Sequence, residues 1–236
     1  MNALLVRVAV DRSVGGGLWN GPMDSLTREF AYVAIPEQRP VHPGLEKPYS
    51  SLAPVLERFG VRLPAHLAGR PMHLDPDFNH LTYGDHRERA KQLRAHLGPE
   101  DLIVFYAGLK DIRSAVGLVY AIIGLFVVDG FRIAAEVPVG DRDMNAHSRR
   151  ALAPEAQDLI VLGCPGRSGR LRRCLPIGEY RNGAYRVRRD LLELWGGLSV
   201  KDGYLQRSAW LPRLLDAPRF LYWLEMQEPS LMRVDN

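Results

Sequence analysis

The chain has 236 residues, 46% of them hydrophobic and 25% charged. That composition excludes a disordered chain and a coiled coil. Lysine and arginine number 31 against 27 acidic residues, for a formal net charge of +4, which permits an anionic partner without demanding one. Two cysteines, Cys164 and Cys174, are too few for a disulfide scaffold or a Cys-only zinc site.

In chain order, Ala3 to Val10 is apolar with β-branched residues and reads as a buried strand. Arg7 and Asp11 interrupt it too early for a signal peptide. The glycine loop Gly15-Gly16-Gly17 follows, and a strand is expected from Phe30 to Ile35. Residues 36–49 hold Pro36, Pro40, Pro43 and Pro48 and read as loop. Ser50 is placed to cap a short helix through Phe59, and Asp85 to Leu97 carries helical spacing ended by Gly98-Pro99.

Asp101 to Tyr106 is a short strand by composition. The apolar run from Ala115 to Val128 is too short for a membrane helix, which needs roughly 18 residues. Its part from Val116 is expected as strand, because Asp129-Gly130 before Phe131 to Val137 is a strong hairpin signal. Further strands fit Leu159 to Leu162 and Leu171 to Ile177, and Asn182-Gly183 predicts a second hairpin. The tail from Trp210 to Met226 is aromatic and interrupted by proline.

Three groups of residues carry candidate chemistry. The glycine loop lets backbone approach a ligand closely. It lacks the following helix and Lys-Ser or Lys-Thr of a phosphate-binding loop. In His73-Leu74-Asp75-Pro76-Asp77, an extended backbone would put His73, Asp75 and Asp77 on one face, a set suited to a divalent metal or to acid–base work. The competing reading makes Asp75 a helix N-cap with Pro76 as first helical residue, and His73 a hydrogen-bonding group for a ligand. Capping is the expectation adopted for Asp75. Arg167, Arg170, Arg172 and Arg173 form a cluster, with Tyr180, Tyr185 and Trp195 downstream. Guanidinium groups interleaved with aromatics suit phosphates and bases.

These landmarks resemble a known family. Arg7, Asp11, the Gly15–Gly17 loop, Pro22, Ile35-Pro36 and the His73–Asp77 block are similar to the nucleotide-modification-associated domain family, type three. So are Leu97 to Phe105, Tyr120, Gly124 to Val127 and Arg207-Ser208-Ala209-Trp210-Leu211-Pro212. The family usually has Gly-Asp where this chain has Glu100-Asp101. It is named for its genomic company with nucleobase-modifying systems, so the resemblance implies a nucleic acid or nucleotide as partner. Asp101 to Phe131 is also similar to the centre of PUA-like barrels of the EVE and ASCH type. Those barrels bind RNA or DNA, some holding a flipped, modified base.

The resulting expectation is one domain over 1–236, of α+β class, built on a curved mixed sheet or PUA-like β-barrel with a few flanking helices. It is expected to be cytoplasmic, with no membrane partner, and to recognise or help process modified nucleobases. The base or ligand site is Arg7, Asp11, Gly15, Gly16, Trp19, His73 and Asp75; Arg167, Arg170, Arg172 and Arg173 would hold phosphates. No cofactor and no metal belong to this reading. Its alternative is a metal-assisted hydrolase or base-modifying enzyme using His73, Asp75 and Asp77. Between reader and enzyme, between DNA, RNA and free nucleotide, and among oligomeric states, the sequence leaves the choice open.

Overall fold

The computed structural model describes residues 1–115, 117–206 and 208–236. Val116, at the start of the apolar run, and Arg207, of the Arg-Ser-x-Trp block, lie outside the described residues. The strands are β1 (Ala3–Arg7), β2 (Pro22–Met23), β3 (Ile35–Pro36), β4 (Met72–His73), β5 (Thr82–Asp85) and β6 (Leu102–Asp111). They continue with β7 (Val119–Ile133), β8 (Leu159–Gly163), β9 (Gly169–Pro176), β10 (Gly178–Arg181), β11 (Ala184–Val187) and β12 (Leu231–Met232). The helices are α1 (Ala53–Glu57), α2 (Ala65–Ala68), α3 (Arg87–His96), α4 (Ala146–Arg149), α5 (Arg189–Leu194) and α6 (Ala217–Glu225).

The main sheet runs β1-β6-β7-β8-β5, with β9 also on β7, β12 on β9 and β2 on β6. β1 and β2 pair with β6 in parallel, and the other ladders of this sheet are antiparallel. Strands β1 and β6 are apolar almost throughout because both faces of the sheet are covered. Leu4, Val6, Ile103 and Phe105 enter one core, where Tyr32, Phe78, Phe126 and Val161 meet them. Leu5, Leu102, Val104 and Tyr106 enter the other, under Trp195, Phe220 and Trp223 from the C-terminal helices.

The sheet is a large mixed one in an α+β fold, and it is open. Among the described residues no ladder joins β1 to β5, so the closed PUA-like barrel is not what forms. The outer edge of β1 is used otherwise: Leu5 N–H donates to Pro212 O at 2.8 Å and Leu214 N–H to Ala3 O at 3.0 Å. A covered edge cannot also pair to close a barrel.

Asp129-Gly130 is not a hairpin turn. β7 runs through it as one strand, and the register shifts between Val128 and Gly130. A two-residue turn of this sequence would need positive φ at both positions; neither has it. The apolar residues beyond the pair find a partner in β8, with Phe131 opposite Val161 and Ile133 opposite Leu159. The Asp-Gly pair is therefore a bulge within the β7–β8 ladder, just beyond the end of the pairing of β7 with β6. Asn182-Gly183, by contrast, does form the expected turn, with φ of 49° and 75° joining β10 to β11.

The expected strand from Phe30 to Ile35 shrinks to the two residues of β3, which pair with β4 and place Ile35 opposite His73. Ser50 caps no helix; it lies inside a 3-10 turn, Tyr49–Leu52, that leads into α1.

Candidate metal centre

Three separate parts of the chain meet beside β5. His73 ends β4. Asp75 follows two residues on, outside any helix or strand, and residues 76–81 turn back into β5, closed by mutual hydrogen bonds between Asp77 and Thr82 at 2.8 and 3.0 Å. No helix begins at Asp75, so it is not an N-cap. Its carboxylate accepts from Gly84 N–H, at 2.8 and 3.0 Å to the two oxygens, and from Asn145 Nδ2 at 3.0 Å. Asn145 also caps α4, its Oδ1 accepting from His147 N–H at 2.8 Å. One asparagine thus fixes both Asp75 and His147. Gly84 makes the approach possible, because a Cβ there would overlap the His147 ring and lie 2.7 Å from Asn145 Oδ1.

The two imidazoles are oriented alike. His73 Nδ1 lies 2.7 Å from Glu37 Oε2, and His147 Nδ1 lies 2.6 Å from Asp158 Oδ2. Burial alone would raise the Glu37 carboxyl, but hydrogen bonds from His73 and Arg150 outweigh it and hold the group well below the usual carboxylate range. An ionised carboxylate can only accept, so Nδ1 carries the proton and Nε2 keeps its lone pair. Arg150 Nη2 also lies 3.1 Å from His73 Nδ1; a guanidinium only donates, so this approach is not a bond to a protonated Nδ1. Asp158 follows the same pattern as Glu37, with burial raising it and the His147 contact bringing it below normal. Burial pushes the His73 imidazole down to about 4, so it is neutral near pH 7.

The two Nε2 atoms face Asp75 Oδ2, at 3.8 Å from His73 and 3.7 Å from His147. These separations are too long for hydrogen bonds. They suit atoms that share an ion between them. The potential ligand atoms of His73, Asp75 and His147 all lie within 4.8 Å of one another, and all three residues are buried. Burial raises the Asp75 carboxyl well above its ordinary range, and Gly84 and Asn145 only partly oppose this. The arrangement is two imidazoles and one carboxylate, each imidazole anchored through its second nitrogen by a carboxylate. That is the donor set and outer-shell pattern of a divalent transition-metal site.

The three groups border a cavity of about 390 Å³, also lined by Arg7, Gly15, Arg39, Tyr83, Asp85, His86, Arg89 and Arg150. Cavities of about 540 and 550 Å³ lie elsewhere. Size does not select the site: the first is walled by Phe131, Ile133 and Val137. In the second, Asp77 is already taken up by Arg149 and by His80, 2.9 Å away.

Of the residues proposed from sequence, Arg7, Gly15, His73 and Asp75 line this cavity. Asp11 stands behind it, 3.4 Å from Arg7 and accepting from Ser13 N–H at 2.8 Å. Gly16 is needed beneath the Asp11 carboxylate, which a Cβ would overlap. Trp19 packs against the first core and is not among the lining residues; the aromatic wall is Tyr83. Asp77 is not part of the cluster of His73, Asp75 and His147, and its carboxylate pairs instead with Arg149 and His80. Of the four arginines, none lines the cavity. Arg170 is buried over the Phe30 ring and Arg167 pairs with Glu100 at 2.8 Å, while Arg172 and Arg173 are exposed. Glu37, His147, Arg150 and Asp158 escape sequence reasoning. The one signal is Asn145 two residues before His147, a capping asparagine that fixes where α4 starts.

Comparison with known proteins places these residues within one family. A family described as nucleotide modification associated domain 3 matches residues 2–212, which include all three candidate ligands and the carboxylates behind them. No curated protein matches the chain, and no solved structure does. The chain belongs to the nucleotide modification associated domain 3 family.

Proposed function

We propose that this protein is a divalent-metal-dependent enzyme that modifies the base of a nucleotide, with His73, Asp75 and His147 as the metal ligands. Family membership associates the chain with nucleotide modification. The observation that carries the metal is the convergence of two anchored Nε2 atoms on Asp75 Oδ2. Three protein ligands leave coordination positions free for substrate or water. A bound dication there would act as a Lewis acid and orient what it holds.

The remaining residues fit a nucleotide. A cavity of about 390 Å³ falls in the size range of small-molecule sites. Burial keeps the Tyr83 phenol protonated, and its hydroxyl donates to Asp85 Oδ2 at 2.6 Å while accepting from Arg89 Nη2 at 3.2 Å. Tyr83 thus offers a fixed aromatic wall, as a base requires. Arg7, Arg39 and Arg89 bring guanidinium groups suited to phosphate.

Calorimetric titration with zinc, manganese and, anaerobically, ferrous iron tests the proposal. The wild type should bind one ion per chain, and His147→Ala and Asp75→Asn should abolish it. Asp77→Asn should retain it, because Asp77 faces Arg149 and His80. A wild type that binds nucleotides but none of these ions would return the cavity to pure base recognition.

A further inference from the structure

The metal cavity has a neighbour. A small recess of about 50 Å³ is lined by Arg7, Arg89, Tyr106, Tyr204 and Trp210, among others. Arg7 and Arg89 belong to both cavities. They form the partition between the metal centre and an aromatic surface. Asp11 holds Arg7 at 3.4 Å and Asp85 holds Arg89 at 3.1 Å, so both cations are fixed in place.

Trp210 stands on the far side of that partition, with 72% of its surface exposed. An isolated exposed tryptophan needs no explanation. This one has a backbone fixed on both sides. Gln92 of α3 donates to Ala209 O at 2.9 Å and accepts from Leu211 N–H at 2.8 Å. Trp210 N–H donates to Ser208 Oγ at 3.1 Å, and Pro212 O accepts from Leu5 of β1 at 2.8 Å. Four hydrogen bonds tie down the backbone of this segment, and among the described residues none of them uses the indole. The family match, which ends at residue 212, takes in this segment and stops short of the aromatic helix α6.

We infer that the substrate is a nucleotide within a single-stranded polynucleotide: the reacting base enters the metal cavity, its phosphate crosses the Arg7–Arg89 partition, and the neighbouring base stacks on Trp210. This rests on the function proposed above and extends it from a nucleotide to a strand. Fixed arginines between a base-sized cavity and a presented indole match how single strands are held, by phosphate contacts alternating with stacking. A duplex keeps its bases stacked on one another and cannot use the indole in this way.

The test compares a mixed-sequence single strand of about eight nucleotides, as DNA and as RNA, with the same sequence as duplex and with nucleoside monophosphates. Fluorescence titration at fixed salt gives each affinity for the wild type, Trp210→Ala and Trp210→Phe, and metal uptake is measured on the same preparations. The single strand should bind more tightly than both the monophosphate and the duplex. Trp210→Ala should lower the ratio of strand to monophosphate affinity by roughly tenfold, and Trp210→Phe should largely restore it. The DNA and RNA arms identify the polymer. Equal affinity for strand and monophosphate, tighter duplex binding, or an unchanged ratio in Trp210→Ala would overturn the strand path. None of these outcomes touches the metal centre, which stands or falls on metal uptake.

Discussion

Gly84 and Glu37 show how single residues build the centre. Adding a Cβ at Gly84 drives it into the His147 ring, and overpacking of this kind costs roughly 1–3 kcal/mol. Gly84→Ala should therefore lower the unfolding midpoint and, by displacing His147, remove metal-induced stabilisation as well. A thermal melt with and without zinc reads both effects; a variant that is destabilised yet still stabilised by zinc would contradict the account. Glu37→Gln keeps the shape but gives up the charge that fixes the His73 tautomer and pairs with Arg150 at 2.9 Å. Loss of such an outer anchor weakens metal binding by roughly 10- to 100-fold, and competition with a chelator measures it. His73 and Asp75 were legible because two chemistry-bearing residues stand two apart in one short block. His147 was not. It sits in an aperiodic charged segment, and only the long-range packing of α4 against β5 brings it to Asp75.

At the scale of elements, two glycines in similar dipeptides have opposite meanings. Gly183 has a φ of 75° in the β10–β11 turn, and a residue with a Cβ pays about 1–2 kcal/mol there. Gly130 lacks positive φ, and a Cβ added to it meets nothing within 4 Å. Gly183→Val should destabilise the protein by about 1–2 kcal/mol, whereas Gly130→Val should change stability by no more than about 0.5 kcal/mol. Urea unfolding of the pair decides; a large loss at Gly130 would mean that the bulge assignment is wrong. The contrast also explains which elements the sequence revealed. β1, β6, β8 and α3 follow from local apolar pattern and end signals. The bulge does not, because Asp129-Gly130 satisfies a local turn rule that pairing with β8 overrides. β3 was legible only as a longer strand, since residues 30–34 are buried by packing without forming a regular ladder.

For the molecule as a whole, the C-terminal segment beyond the family match is tied back to the layer that carries the site. Asp235 accepts from Phe78 N–H at 2.8 Å and from Asn79 Nδ2 at 2.5 Å, and Asn236 accepts from Tyr32 N–H at 2.8 Å. Burial, reinforced by the Asp77 charge, raises the Asp235 carboxyl to about 7. The folded protein then holds a proton that the unfolded chain releases near pH 4. Stability contributed by this group is therefore present at low pH and is lost as pH rises from about 4 to about 7. Asp235→Asn should flatten that part of the stability profile, which melts across the pH range will show; an unchanged slope would contradict the assignment. The open sheet, covered on both faces, was legible as α+β but not as open, because edge coverage of β1 comes from residues 212–214, far along the chain.

The proposed enzyme holds one ion among His73, Asp75 and His147. Crystals grown with manganese or zinc, with anomalous data collected on either side of the metal edge, test it most directly. A single strong anomalous peak is expected about 2.0–2.2 Å from His73 Nε2, His147 Nε2 and an Asp75 oxygen, and it should be lost in His147→Ala. A fully loaded crystal with no peak there, or with its peak beside Asp77 and His80 instead, would contradict it.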